Sequence, residues 1–470
     1  MPSVYATHEH HEFLAASREA LGSPNLQLAL SRLGETLAAG NRTAFERLPG
    51  SSLLRDKARA IKDETLAHLD AHLADLERAV TARGGHVHFA DDGADAVAIV
   101  RKIIDSAGVK RVVKSKSMVT EEIHLNRHLE ESGVEVTETD FGEFIIQVAG
   151  ERPSHLVGPA LHKTAEEMAE CLNERFGVEL TKEPHVMAQF ARGLLRKKFA
   201  EADMGITGGN FLIAETGTVV IVSNEGNARL TTSVPRIMVS LVGIEKVIPK
   251  LADLPVFLKV LARAATGQKM SIYTSLITGP RKPGEGDGPE EFHLVLLDNG
   301  RSRILGSPMR ESLFCIRCGA CLNVCPVYRK IGGHAYGGTY SGPIGAVITP
   351  LFDGLKENHH QPHASSLCGA CQVACPVKIQ IPELLIRNRA ALHAAHLVPR
   401  GEEFVYRVWS RLMRSPFWYR LLGRAAARLL PWFASQGWLA RLPGPLAGWT
   451  ACRDFPVPAS QSFRDRWRDL

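Results

Sequence analysis

Two short cysteine runs, each closing on Cys-Pro, constrain this chain more than any other feature of its sequence. The first reads Cys315-Ile-Arg-Cys318-Gly-Ala-Cys321-Leu-Asn-Val-Cys325-Pro326, the second Cys368-Gly-Ala-Cys371-Gln-Val-Ala-Cys375-Pro376. Together they hold seven of the nine cysteines. Two-residue gaps let three sulfurs face inward from one tight loop. The fourth cysteine stands three residues further on, and the proline behind it turns the chain away.

The first run is the complete C-x2-C-x2-C-x3-C-P spacing of bacterial ferredoxins, in which the fourth cysteine serves the other cluster of a pair. Crossing over in this way assigns Cys315, Cys318, Cys321 and Cys375 to one iron–sulfur cluster. Cys325, Cys368 and Cys371 go to a second, which is one cysteine short: Ser365 stands where a full second run would begin. Three states are compatible with that. They are a [3Fe–4S] cluster, a [4Fe–4S] cluster with an oxygen or imidazole ligand from Ser365 or His363, and an iron left open to water or a partner. Structural zinc favours two separated C-x2-C pairs, a poor match to a cysteine triple. Cys171 and Cys452 have no basic or metal-site context and read as small apolar side chains.

At 470 residues the chain calls for two or three domains. Met1 to Arg18 has no apolar secretory core, and no stretch approaches ~18 consecutive apolar residues, so a cytoplasmic protein without a membrane span is expected. The formal charge is uneven. Residues 401–470 carry eleven arginines against five acidic residues, a net +6 that equals the charge of the whole chain, and all six tryptophans. Packed terminal helices, a docking surface for partner subunits, and a helix lying on anionic lipid all fit this tail. Nucleic-acid binding is not expected, because no binding motif accompanies the charge.

Before the cysteines, strands and helices alternate. Helix is expected over 58–82, 94–107, 120–132 and 256–265. Strand is expected over 87–89, 111–113, 134–137, 144–148, 218–223, 236–242, 270–277 and 293–297. This rhythm predicts an α/β domain with a largely parallel sheet. The divisions are 1–55 as a loose N-terminal extension with short helices, 56–305 as the α/β domain, 306–398 as the two-cluster domain, and 399–470 as the Arg/Trp-rich region. The glycine-dense segment 332–345 reads as a loop packed too tightly beside the clusters for a Cβ, or as a ligand loop.

Lys114-Ser-Lys-Ser-Met-Val-Thr-Glu-Glu-Ile123, Gly205-Ile-Thr-Gly-Gly-Asn-Phe-Leu-Ile-Ala-Glu-Thr-Gly-Thr218 and Asn224-Glu-Gly-Asn-Ala-Arg229 resemble the LUD (lactate-utilisation) domain. Gly332-Gly-His-Ala-Tyr-Gly337, Gly342-Pro-Ile-Gly345 and the tail Phe455-Pro-Val-Pro-Ala resemble the lactate utilisation protein B family. That resemblance implies a LUD fold like that of the NagB/RpiA/CoA-transferase group, then an α-helical ferredoxin-like dicluster domain and a helical tail. It implies two [4Fe–4S] clusters on the cysteines assigned above. It also implies electron transfer within an L-lactate oxidising complex, with a cysteine-rich subunit and a second LUD protein as partners. Transfer for another 2-hydroxy acid such as glycolate, or a non-redox acyl-transfer protein with a structural cluster, are the rival readings.

Glu215 invites comparison with the catalytic glutamate of CoA transferases, although a turn residue between two strands is the simpler reading. Lys114, Lys116, Asn210, Asn224 and Arg229 are candidates for an anion pocket at strand ends. His8, His10 and His11 read as solvated terminus rather than a metal site. Of His359, His360 and His363, only the last is near enough in sequence to serve a cluster. Arg317, Arg329 and Lys378 flank the clusters, where positive charge favours the reduced state.

Overall fold

The computed structural model describes residues 10–115, 117–451 and 453–467, with the side chains of His10, His11 and Pro445 excepted. His8, Lys116 and Cys452 lie outside the described residues, as do the side chains of His10 and His11. The chain divides into two compact units, Met1–Leu392 and His393–Leu470.

The first unit is built on ten strands among the described residues: β1 (His86–Ala90), β2 (Arg111–Lys114), β3 (Glu135–Glu138), β4 (Met204–Thr207), β5 (Phe211–Ile213), β6 (Thr218–Ser223), β7 (Ile237–Gly243), β8 (Val247–Ile248), β9 (Tyr273–Ile277) and β10 (Glu291–Leu297). Six of them pair in parallel in the order β1-β10-β7-β4-β2-β3. Every residue of the central β7 is buried, as a strand covered on both faces requires. A smaller sheet, β8-β5-β6-β9, pairs β5 with β6 antiparallel across Thr216-Gly217, so the expected turn is present. The α/β expectation and its parallel sheet therefore hold.

Three local expectations are corrected. Residues 144–148 are not a strand but lie in helix Phe141–Ala149. Asp140 caps its first turn, its Oδ1 accepting from the Gly142 and Glu143 N–H groups, and Gly150 closes it in the left-handed region at φ 66°. The helix expected over 58–82 is two, Ser51–Ala67 and Leu69–Thr81, parted at His68. The one over 120–132 is also two, Met118–Glu122 and Leu125–Glu131, parted at His124, whose φ is 52°.

The described part of the N-terminal stretch is helical and not loose. Leu30, Leu33 and Phe45 are buried in one core with Tyr328 and Tyr336 from beside the cysteines. Helix Ser51–Ala67 then grips the cysteine loops from one face. Arg55 donates to the carbonyls of Val373 (2.6 Å) and Cys375 (2.5 Å), and Arg59, one turn on, donates to the Lys378 carbonyl (2.6 Å) and to Glu311 (2.6 Å).

In the second unit, helices Arg400–Arg414 and Pro416–Leu429 have no buried residue. Phe404, Trp409, Phe417 and Trp418 are all exposed, so this part of the tail is not a packed bundle. Among the described residues no helix is long and apolar enough to cross a membrane.

Candidate metal centre and an adjoining pocket

The two cysteine runs fold as the same loop twice. In each, the residue before the second motif position is left-handed (Arg317, φ 57°; Leu367, φ 54°), and the glycine after that cysteine is left-handed too (Gly319, φ 74°; Gly369, φ 80°). A short helix follows, Ala320–Val324 or Ala370–Ala374, and the two helices pack on each other. Cys325 and Cys375 both leave in extended conformation.

This duplication brings sulfurs together across the runs. Cys315, Cys318, Cys321 and Cys375 line one cavity walled by Leu156, Ile344, Val377 and Ile379. Cys325, Cys368 and Cys371 lie in or beside the two packed helices Ala320–Val324 and Ala370–Ala374. The first group is deeply placed, with Cys318, Cys321 and Cys375 buried, whereas Cys368 in the second is exposed.

Backbone N–H groups already point at the sulfurs: Arg317 N to Cys315 Sγ (3.4 Å), Tyr328 N to Cys325 Sγ (3.5 Å) and Ile379 N to Cys375 Sγ (3.4 Å). The second loop repeats the first of these contacts with an oxygen, since Leu367 N donates to Ser365 Oγ at 3.1 Å. Ser365 thus holds the position that Cys315 holds in the other loop. His363, the alternative, is exposed.

Burial pushes the thiols of Cys318 and Cys321 well up, Cys375 to about 11 and Cys371 to about 12. Cys368 moves the other way, lowered chiefly by the Ala370 N–H and then by Ser366. Crowded, buried sulfurs of the first group are thiolates only around a polycationic core. A cavity with four of them and an otherwise apolar wall fits a cubane, and the donor set is all sulfur.

A buried ion network ties these loops to the main sheet. Arg301, fully buried, donates from Nε to Glu245 (2.6 Å) and from Nη1 and Nη2 to Glu122 (2.9 Å each). The Tyr340 hydroxyl donates to the same Glu122 (2.7 Å). Arg317 stacks over the Tyr340 ring at 4.5 Å and faces Glu245 at 3.6 Å. Lys62, from helix Ser51–Ala67, donates to the Glu245 carbonyl. Burial raises the Glu245 carboxyl, but Arg301, Arg317 and Lys246 outweigh it and hold it at about 2. Burial pulls Lys62 down to about 7 and Lys246 to about 8.

A pocket of about 130 Å³ opens where β2, β4 and β7 end. Ser115, Ser117, Asn210, Asn227, Lys246 and Arg317 line it, and Leu156 separates it from the four-cysteine cavity. Of the described residues expected to form an anion pocket, only Asn210 lines it; Lys116 lies outside the described residues. Lys114 is buried at the end of β2 between Glu121 (2.7 Å) and Glu138 (2.6 Å), so its charge is spent internally. Asn224 donates to Gln268 in an exposed setting, and Arg229 does not line the pocket. The cations at this place, Lys246 and Arg317, come from chain segments 71 positions apart, and no local pattern joins them.

Glu215 is exposed, and its carboxylate accepts from the Leu251 N–H at 3.0 Å. Lys378 pairs with Asp56 (2.5 Å), and Arg329 packs its guanidinium against Gly34. Cys171 is partly buried, its thiol raised by that burial. In the glycine-dense segment, Gly342 has φ 69°, and a Cβ there would stand 2.6 Å from Leu322. The tight-packing reading of that loop applies.

The LUD domain family matches residues 73–297, the 4Fe-4S dicluster domain family matches 311–379, and the "Lactate utilisation protein B, C-terminal" family matches 392–469. Curated relatives run the length of the chain. "Lactate utilization protein B" of Bacillus velezensis is 45% identical over 96% of this chain and 95% of its own. The protein of that name from Bacillus subtilis is 44% identical over 94% and 92%, and that from Geobacillus thermodenitrificans is 46% identical over 88% of each. A crystal structure of a DUF162 family protein from Deinococcus radiodurans aligns with 49% of this chain and 98% of its own, at 13% identity and a TM-score of 0.28, too slight a likeness to argue from.

Proposed function

The chain belongs to the lactate utilisation protein B family, and from that premise we propose that it is the two-cluster electron-transfer subunit of an L-lactate oxidising complex. Its iron–sulfur role in lactate utilisation goes with the family. The relay is our reading of the site. Cys315, Cys318, Cys321 and Cys375 hold a buried [4Fe–4S] cluster. Cys325, Cys368 and Cys371, with Ser365 Oγ at the fourth position, hold a second nearer the surface. When bound, the clusters supply one-electron transfer, and the pair passes on singly the two electrons lactate gives up in becoming pyruvate.

The single observation that carries this reading is the mixed cavity, three cysteines of one run meeting the last of the other. The protein's own contribution is to bury the inner cage and direct N–H groups at its sulfurs, which tunes potential. It also leaves Cys368 at the surface, where a partner reaches it. We place the protein in the cytoplasm, with a cysteine-rich subunit and a second LUD protein as partners and the exposed aromatic tail as the docking element.

Anaerobic purification with iron, sulfide and paramagnetic-resonance analysis tests the relay. About eight irons per chain and two reduced-state signals are expected. Zinc, or the absence of acid-labile sulfide, ends the proposal. A deletion strain that grows on L-lactate but not on glycolate would move the reading to another hydroxy acid.

A further inference from the structure

The pocket beside the inner cysteine cage has a charge it does not use. Lys246 is 6% exposed and makes no hydrogen bond or ion pair among the described residues. Arg317 Nη1 is buried without a partner, and so is Asn227 Oδ1. Nearby, four buried cations (Lys62, Lys246, Arg301 and Arg317) meet two buried carboxylates (Glu122 and Glu245). A buried cluster with more cations than carboxylates is costly, and a pocket that exposes one of the cations to a void recruits an anion.

Position and size narrow the ligand. The pocket lies beyond the carboxyl ends of parallel strands, the customary ligand position of such sheets. Its volume of about 130 Å³ is well under the roughly 300–1,000 Å³ of sites for drug-sized ligands, so a dinucleotide does not fit. Asp140 also lines the pocket, but its Oδ1 is occupied by the Gly142 and Glu143 N–H groups. Ser115 and Ser117 add hydroxyls, and Asn227 Oδ1 is an acceptor for a ligand's own hydroxyl.

We propose that this pocket binds a small 2-hydroxy monocarboxylate, its carboxylate between Lys246 and Arg317 and its hydroxyl donating to Asn227 Oδ1. Leu156 lines both this pocket and the inner cage, and Arg317 stands directly before Cys318 in the chain. The site therefore joins the acid to the electron path, and that last clause rests on the iron–sulfur reading above. The binding claim itself rests on the pocket alone. It places the ligand between the LUD domain, which supplies Lys246 and Asn227, and the dicluster domain, which supplies Arg317.

The test is equilibrium binding to anaerobically prepared full-length protein of measured iron content, with L-lactate, pyruvate and uncharged lactamide as probes. One acid binds saturably at one site per chain, and lactamide binds at least about thirtyfold more weakly, as loss of a buried charge pair implies. Lys246→Met and the near-isosteric Asn227→Asp, which puts a negative charge in the pocket, each weaken acid binding about thirtyfold or more, with iron content and resonance signal retained. Pyruvate, whose keto oxygen cannot donate to Asn227 Oδ1, binds more weakly than L-lactate, and equal or tighter binding of pyruvate overturns the placement of the hydroxyl. The proposal is overturned if protein with full iron shows no saturable binding of either acid up to about 10 mM. It is also overturned if both variants, folded and iron-loaded, bind as the parent does. In that case the cations serve only to balance the cluster. Lack of iron sinks the relay and is read separately from the binding result.

Discussion

Replacing Arg301 with methionine should loosen the tie between the sheet and the cysteine loops. The guanidinium gives one hydrogen bond to Glu245 and two to Glu122, all out of water. Methionine keeps the packing against Phe352, over which the guanidinium lies at 4.8 Å, but strands two buried carboxylates. Removing one partner of a buried pair costs about 3–5 kcal/mol. The titration of Glu245 gives a similar size. Its carboxyl lies at about 2 against an ordinary 4.5, a fall worth roughly 3 kcal/mol.

The sign with pH follows from the depressed carboxyl. The stabilisation is fully present above about 4.5 and is lost as pH falls toward 2. In Arg301→Met, burial is opposed only by the remaining cations and the carboxyl rises, so the deficit is largest near pH 8 and shrinks toward pH 5. Guanidinium unfolding of the anaerobic protein, followed by far-ultraviolet circular dichroism at both pH values, measures this. Fluorescence is the wrong probe, because every tryptophan lies in the second unit. Adding Glu122→Gln and Glu245→Gln to the variant should recover most of the loss. A deficit under about 1 kcal/mol, or one equal at pH 5 and pH 8, would refute the network as the tie.

Ser365→Cys should change the resonance signal of the outer cluster; a spectrum identical to the parent's counts against Ser365 as the fourth position. Gly342→Ala should cost about 2 kcal/mol or more, from the left-handed φ and the approach to Leu322, seen as a lower melting temperature and faster iron loss. His334, half-buried beside His162 and donating to the Arg152 carbonyl at 2.7 Å, is held down to about 4. It stays neutral in the fold while the unfolded chain takes a proton from 6.5 downward, so stability is present above 6.5 and lost as pH falls toward 4. His334→Asn should flatten that part of the urea-midpoint profile, and an unchanged slope would show that other groups set it.

The cysteine spacing made the pairing of the two loops legible, because ligand geometry is local and the repeat is visible residue by residue. The sheet was legible for a similar reason: 236–242 and 293–297 are largely apolar stretches of strand length. Phe144 to Val148 was not, since a short apolar run does not distinguish strand from buried helix. Asp140 before it and Gly150 after it are the cap signals that do. The Glu122–Arg301–Glu245–Arg317 network has no such signature. Its members stand on four separate segments, and Glu245-Lys246 sits inside an apolar stretch where neither charge announces a partner. Lys114 misled for the converse reason: it looked free because Glu138, one of its partners, lies on the adjacent strand β3.

The exchange of final cysteines between the loops has a consequence for how the protein is made. On the ligand assignment proposed above, the outer cage needs the chain as far as Cys371 and the inner one as far as Cys375. Both centres would then be finished late in synthesis, the inner one last. A chain cut between the two runs would lack ligands for both.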